Sequence, residues 1–352
     1  MLLGTDKSAQ PLVSVVTPVY NGAEFLAACI ESVLAQTYQN WEYTIVDNCS
    51  TDGTAEIARR YAAKDSRIRL HQNTEFLRAI PNHNNAFRQI SPDSKYCKVV
   101  FGDDWIFPEC LEQMVAVAEE NPSVGLVSAF ALEGNRVAWT GLPYPSRLIS
   151  GRQICRLHFL DHLYVFGSAT TVLYRADLVR SREPFFNENN IHADTEVCFD
   201  LMRTSDFGFV HQVLTCTRTR EESLTAMSNS LQTPYSGTLY ALSAYGLHYL
   251  SKEEFETCWS EHLAGYYDFL AKSMLKGRHD KKFWDFHKSK LNELGGGYSR
   301  TRLTGATVSA VFDAMLHPGD SMAKIFKAKQ KPVKLEASQG ASPPGVPAKQ
   351  VR

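Results

Sequence analysis

Two adjacent carboxylates, Asp103 and Asp104, follow Gly102 at the end of the predicted strand Lys98 to Phe101. Side by side they repel each other unless something neutralises them. A hard divalent cation held together with substrate phosphate oxygens does this. An acidic turn ahead of a helix opened by Pro108 is the plain alternative. Asp47 and Asn48 stand at the end of another predicted strand, Glu42 to Asp47. A carboxylate accepts from an imide N–H and an amide can also donate to a carbonyl, so the pair suits a nucleobase edge. It suits an Asx turn into Asn48-Cys49-Ser50 as well. Tyr20, just after Pro18, offers a stacking face for a base or is simply a loop aromatic. Asp194 and Glu196 lie in a polar break before Val197, Phe199 and Leu201. They read as a general base beside an acceptor hydroxyl, or as first-turn acids of a helix. Arg218 and Arg220, with Ser223, follow the apolar stretch Phe207 to Leu214. Guanidinium forks suit a diphosphate; a solvated loop paired with Glu221 and Glu222 is the alternative. His192 and His211 have no metal-ligand spacing.

These residues need a frame that brings them to one place. Val13 to Thr17 reads as a buried strand running into Pro18 and the turn Asn21-Gly22. Leu26, Cys29, Ile30, Val33 and Leu34 then fall on one helical face. Glu42–Asp47 is a second strand, followed by the turn-rich Asn48 to Thr54 and a helix through Ile57 and Tyr61. Further strands are expected at Ile68–Leu70, Lys98–Phe101 and Val124–Ala129, with a helix through Leu111, Met114, Val115 and Ala118. Alternating β and α from residue 13 to about 130 predicts a mostly parallel α/β sheet. Ligands bind such sheets beyond the carboxyl ends of the strands, where Thr17 to Tyr20, Asp47-Asn48 and Asp103-Asp104 all fall. Residues 235–292 read as helical and aromatic-rich, and Gly295-Gly296-Gly297 breaks the pattern. Val308, Val311, Phe312, Met315 and Leu316 again share a helical face, stopped by His317-Pro318-Gly319. The reading divides the chain into residues 1–230, a helical extension 231–295, amphipathic basic helices 296–330 and a disordered tail 331–352.

The chain has 352 residues, 44% of them apolar, enough for a sizeable core. There is no apolar run of about 18 residues to span a membrane and no secretory h-region. The net charge of −1 hides an asymmetry. Residues 1–275 carry 22 Lys and Arg against 32 Asp and Glu, and residues 276–352 carry 15 against 6, giving −10 and +9. A basic end on an acidic body points to an anionic surface or to a solvated helix. The eight cysteines show no C-x-x-C and no paired spacing, so a reducing cytoplasmic setting is expected. No G-x-G-x-x-G, G-x-x-x-x-G-K-[ST] or G-x-S-x-G is present, which argues against dinucleotide-binding, P-loop and α/β-hydrolase sites.

Val13 to Thr54, with its T-P-x-Y-N turn, S-V-L-x-Q-T-Y helix end and V-D-N-x-S-x-D-G-T turn, resembles the opening of family 2 glycosyltransferases of the GT-A fold. Phe101 to Glu112 resembles that family's DxD region, and the resemblance runs over about residues 11–226. It implies a mostly parallel sheet flanked by helices, with a C-terminal helical extension. It also implies an inverting transfer of sugar from a nucleotide diphosphate, UDP by default, to a hydroxyl of a glycan or lipid-linked acceptor, with Mg2+ or Mn2+. By this resemblance Thr17, Pro18, Tyr20, Glu24, Asp47, Asn48 and Asp103 meet the nucleotide and its ribose or sugar side. Asp104 holds the metal, and Asp194, or Glu196, is the base. Arg218 and Arg220 meet the diphosphate, and Gly167 to Thr171 lines the donor and acceptor pocket. Three positions depart from the pattern: Phe101 for an acid, Ala193 for a frequent Glu, and Arg220 for a frequent His. A non-catalytic nucleotide-binding scaffold is the rival these departures support. A sugar nucleotidyltransferase would need a Gly-rich phosphate loop that Pro18 to Gly22 does not supply. The basic C-terminal segment then fits peripheral attachment to an anionic inner membrane face, and nucleic acid has no evident part.

Overall fold

Val13–Val19 (β1) is buried at every residue, as a strand covered on both faces must be. In the computed structural model, which describes residues 10–218, 224–278, 280–294 and 296–316, this strand lies inside a ten-stranded sheet. The chain leaves it through Leu26–Leu34 (α1), whose Leu26, Cys29, Ile30 and Val33 are buried as their spacing predicts. It returns as Trp41–Asp47 (β2), parallel to β1. Thr54–Ala62 (α2) and Ile68–Gln72 (β3), parallel to β2, extend the sheet outward. Ala79–Phe87 (α3) then leads back to Tyr96–Val99 (β4), which pairs in parallel with the other side of β1. The order of strands therefore reverses at β1, and a cleft is expected beyond its carboxyl end.

The remaining elements of this unit are Trp105–Ile106 (β5), Cys110–Glu120 (α4), Val124–Glu133 (β6), Arg136–Ala138 (β7) and Leu148–Ile149 (β8). After these come Gly151–Asp161 (α5), a 3-10 turn Ala169–Thr171, Leu173–Arg175 (β9), Ala176–Arg180 (α6), Ala193–Leu201 (α7) and Asp206–Thr217 (β10). The sheet order is β3-β2-β1-β4-β9-β6-β10-β5, with β7 on β6 and β8 on β10. The four ladders β1/β2, β2/β3, β1/β4 and β6/β10 are parallel; β9 runs antiparallel between β4 and β6. The helix α3 and the long strand β10 were not expected from the sequence.

A first compact unit ends at Ala226 and a second begins at Met227. Leu224–Leu231 (α8) crosses that boundary, followed by Pro234–Tyr249 (α9), Lys252–Leu275 (α10), Lys281–Glu293 (α11) and Arg300–Leu316 (α12). The core of the second unit is aromatic: Tyr266, Tyr267 and Phe283 pack with Leu263, Leu270, Leu291 and Leu303. At its centre His287 is fully buried. The Tyr266 hydroxyl lies 2.5 Å from its Nδ1 and the Leu231 carbonyl 2.8 Å from its Nε2. Leu303 buries one end of α12, but Val308, Phe312, Met315 and Leu316 are 52–72% exposed. The apolar face read from the sequence is present and turned to solvent. The expected basic helix through Met322, Ile325 and Phe326, and the tail 331–352, lie outside the described residues. All eight cysteines are free, seven of them buried.

Candidate functional site

The loops after β1 and β2 are laced together by side chains that their turn sequences supply. The Asp52 carboxylate accepts from Ala23 N at 2.9 Å and Thr54 N at 3.1 Å, and Thr54 Oγ1 accepts from Gly22 N at 2.9 Å. Asn21 N donates to Ser50 Oγ, and Thr51 N donates to Asn21 Oδ1. Behind this rim Thr17 is wholly buried. Its hydroxyl donates to the Val100 carbonyl at 2.6 Å and meets Tyr43 OH at 2.8 Å. Pro18 is buried beside it in β1, and Glu24 is exposed at the entry to α1. Tyr20 is 46% exposed and meets Phe76 edge to face at 4.8 Å.

Asp47 and Asn48 are buried. Asp47 accepts from Ser50 N at 3.3 Å and Gln72 Nε2 at 3.4 Å. Asn48 holds the neighbouring loop: its Oδ1 accepts from Leu77 N and Asn73 Nδ2, and its Nδ2 donates to the Leu77 carbonyl at 2.7 Å. The amide read as a base contact thus positions the segment that carries Phe76, against which the exposed Tyr20 leans.

Asp104 is the node of the site. A Cβ at Gly102 would stand 2.7 Å from the Val19 side chain, and Asp104 is 2% exposed. Its Oδ2 accepts from Thr170 Oγ1 at 2.6 Å and its Oδ1 from the backbone N–H of Arg218 at 3.0 Å. Burial, then the adjacent Asp103 charge, pushes its pKa up to about 8 against the two hydrogen bonds. Thr170 is itself held: its Oγ1 accepts from Phe101 N, and its carbonyl accepts from Lys98 Nζ at 2.6 Å. Lys98 is buried in β4, and burial depresses its pKa. Gly167, which starts this segment at φ +77°, leaves no room for a side chain: a Cβ would stand 2.8 Å from Thr171. The Arg218 guanidinium sits over Phe25 at 4.8 Å and Trp105 at 4.7 Å, two cation–π contacts that hold it beside Asp104. Arg220 lies outside the described residues.

Asp194 lies in the first turn of α7 and is half-buried. Burial raises its pKa, opposed by the charge of His192 and by the backbone of Thr195, whose N–H reaches Oδ1 at 2.8 Å. Tyr164 OH meets Thr195 Oγ1 at 2.8 Å and Gly167 O at 3.3 Å, tying α7 to the segment that supports Asp104. Glu196, 7% exposed, accepts from Asn187 and Asn190 and pins the loop ahead of α7.

The unexpected helix α3 spans the two halves of this site. On one side Asn73 donates to Asn82 Oδ1 and to Asn48 Oδ1. On the other, Asn84 exchanges hydrogen bonds with the Phe186 backbone and donates to Glu188. The density of asparagine over residues 73–85 was the available signal; Pro81 and the lack of an apolar period concealed the helix. Among the described residues no cluster of three or more His, Cys, Asp or Glu could hold a metal ion. The adjacent pair Asp103 and Asp104 offers hard oxygen donors that could take part in holding one, the Asp104 carboxyl being raised in pKa by burial and then by its neighbour's charge. Substrate phosphate oxygens and water would complete the coordination shell, as is usual for Mg2+ and Mn2+.

An open α/β sheet with acidic residues beyond its carboxyl ends has the architecture of the GT-A transferases, and solved structures agree. S. aureus TarS 1-349, solved in complex with UDP-GlcNAc, matches with a TM-score of 0.60 at 16% identity, covering 84% of this chain and 88% of that one. The mannosyltransferase PcManGT of Pyrobaculum calidifontis, solved with GDP-Man and Mn2+, matches with a TM-score of 0.52 at 14% identity, covering 91% and 85%. Residues 14–182 match the family described as Glycosyl transferase family 2. EpsE of Bacillus subtilis (strain 168), named as a glycosyltransferase, is 37% identical over 153 residues, 41% of this chain and 54% of that protein. TuaG of the same organism, named as a teichuronic acid biosynthesis glycosyltransferase, is 32% identical over 123 residues, 35% and 48%. The chain matches these two relatives over about half of their length.

Proposed function

We propose that the protein is an inverting glycosyltransferase that moves a sugar from a nucleotide diphosphate, UDP by default, to a hydroxyl of a surface glycan or glycolipid acceptor. The observation that carries this reading is the junction at Asp104, where the acidic turn, the Thr170 segment and the end of β10 meet on one carboxylate. The nucleotide lies against Tyr20 and the loop that Asn48 holds, with Glu24 at the rim. Asp103 meets the ribose or sugar side. Asp103 and Asp104 would hold Mg2+ or Mn2+, which when bound neutralises the diphosphate and stabilises charge on the leaving group. Arg218, steadied between Phe25 and Trp105, reaches the diphosphate, together with Arg220. Asp194, made more basic by burial, accepts the proton of the acceptor hydroxyl as that oxygen attacks the anomeric carbon from the face opposite the leaving group. One displacement inverts the centre. Glu196, already bound to two asparagine amides, supports the loop.

A nucleotide-release assay over a panel of donors with Mn2+ tests the reading. Release that depends on acceptor and falls sharply in Asp194→Asn supports it; binding of no nucleotide sugar sinks it. The Phe101 ring stands where the family pattern has an acid and is packed on His83, which favours a nucleotide-binding scaffold as the second reading. Donor bound but never turned over or hydrolysed would select that alternative.

The exposed face of α12 leads into a segment bearing Lys324, Lys327, Lys329, Lys331 and Lys334. At about 1 kcal/mol per lysine near an anionic surface, this supports peripheral attachment to an anionic membrane face, where a lipid-linked acceptor is met. No described helix is long and apolar enough to cross a membrane.

A further inference from the structure

We propose that His83 is a donor-selecting residue, whose imidazole hydrogen-bonds a hydroxyl or acetamido group of the transferred sugar. The proposal rests on the nucleotide-sugar reading above and deepens it. His83 lies on α3 with its ring 4.6 Å from Phe101 and 6.3 Å, edge to face, from Phe186. Phe101 begins the turn that carries Asp103 and Asp104. Phe186 begins the loop whose Asn187 and Asn190 bind Glu196, two residues from Asp194. The imidazole is therefore placed between the diphosphate end of the site and the base, where the transferred sugar has to lie.

The ring is held there before any ligand arrives. Asn82 and Asn84, its sequence neighbours, fasten α3 to the Asn73 loop and to the Phe186 backbone. Neither ring nitrogen is hydrogen-bonded to another described residue, and the residue is only half-buried. A phenylalanine would pack on Phe101 and Phe186 equally well, so packing alone gives no reason for nitrogen at this position. Burial holds the pKa down at about 4. The ring is then neutral, with one nitrogen that donates and one that accepts, which is the complement of a sugar hydroxyl.

The experiment compares the wild-type chain with His83→Phe, which keeps the ring packing, and His83→Gln, which restores a polar amide. Calorimetry measures affinity for UDP, GDP and dTDP and for a panel of their sugars, including UDP-GlcNAc and GDP-mannose, with Mn2+ present. For the nucleotide that the wild type prefers, His83→Phe should keep its affinity for the bare diphosphate within about twofold. Its affinity for the matching nucleotide sugar should fall about five- to tenfold, the loss of one hydrogen bond. His83→Gln should recover part of it. Equal loss for diphosphate and nucleotide sugar, or no loss for either, overturns the role of His83 and leaves the glycosyltransferase reading standing. A wild type that binds none of the panel overturns both.

Discussion

Each unit contains a histidine whose pKa burial has brought from 6.5 to about 4, and the two are provided for differently. In the helical unit His287 is saturated, with the Tyr266 hydroxyl on one nitrogen and the Leu231 carbonyl on the other. In the sheet unit His83 has rings on two sides and no hydrogen-bond partner among the described residues. Carboxylates repeat the contrast. Lys290, then Ser289, lower the pKa of Glu293 in the helical unit, whereas burial raises those of Asp104 and Asp194 in the sheet unit. His287 has both ring nitrogens engaged within its own unit, whereas at His83, Asp104 and Asp194 the sheet unit holds groups whose charged forms burial disfavours. Buried groups left in an unfavourable state mark a site more reliably than conspicuous surface charge does.

The largest expected effect tests these groups directly. Asp104→Asn and Asp194→Asn should each reduce turnover about 100-fold or more in the nucleotide-release assay. Without metal, Asp104→Asn should melt higher than wild type at pH 8, by about 2–4 °C per kcal/mol gained. The sign follows from linkage. A carboxyl whose folded pKa is near 8, against 3.8 in the unfolded chain, costs stability increasingly as pH rises through that window. The amide can still face Arg218 N with its oxygen and donate to Thr170 Oγ1. Unchanged melting would remove the strain assigned to Asp104.

The saturated histidine should respond in the opposite sense. His287→Phe takes its partner from the buried Leu231 carbonyl and leaves the Tyr266 hydroxyl with Ser236, a loss of about 1–3 kcal/mol visible in thermal melts, with no direct effect on donor affinity. In the wild type the unfolded chain binds a proton on this histidine between pH 6.5 and about 4 while the folded chain does not. That contribution to stability is present above pH 6.5 and is lost as pH falls towards 4. His287→Phe should flatten the acid limb of the stability profile. An unaltered limb would show that His287 is not what makes the helical unit acid-sensitive.

Asn48→Ala sharpens the contrast within the sheet unit. It unfastens Leu77 and Asn73, and about 1–3 kcal/mol of stability should go with it. Nucleotide affinity should drop with the loosened Phe76 loop, read by calorimetry with UDP or GDP. Full affinity in a destabilised variant would separate the loop from the nucleotide. The smallest change in folding is expected from Phe312→Glu with Met315→Glu. Both residues are exposed, so stability should move by no more than about 0.5 kcal/mol. Flotation with anionic vesicles should nevertheless fall. Equal flotation would take this face out of membrane attachment.

The strands Val13–Val19 and Trp41–Asp47 were legible because nearly every residue in them is buried and they are rich in β-branched and aromatic side chains. Leu26, Cys29, Ile30 and Val33 likewise declared α1 by their spacing. The helix α3 was not legible because side-chain amides rather than an apolar stripe fasten it; only its Asn82, Asn84, Ala86 and Phe87 are buried. The strand β10 was read as an apolar stretch, since its pairing with β6 from Asp206 to Thr217 is interrupted by register shifts that blur any alternation. In the site, residue types at the ends of strands pointed to Asp47, Asn48, Asp103 and Asp104. Their division of labour was invisible: Asn48 faces its own protein's loop, and Lys98 and Thr170 enter only through tertiary contacts. Nothing local in the sequence foretells that a lysine in β4 holds the carbonyl of a residue 72 positions further on.

The Asp104 carboxylate draws one of its two hydrogen bonds from a residue 114 positions later. During synthesis the turn at Asp103-Asp104 leaves the ribosome long before Arg218 does. The early strands β1 to β4 have their mutual partners by then, but β6 has no β10 and β5 has no edge to pair with. The Asp104 carboxylate is therefore among the last groups of the sheet unit to find its partners. A nascent protein arrested before residue 206 carries β1 to β4 and an acidic turn lacking one of its donors, so on the proposed reading nucleotide affinity should come in one late step, as β10 docks.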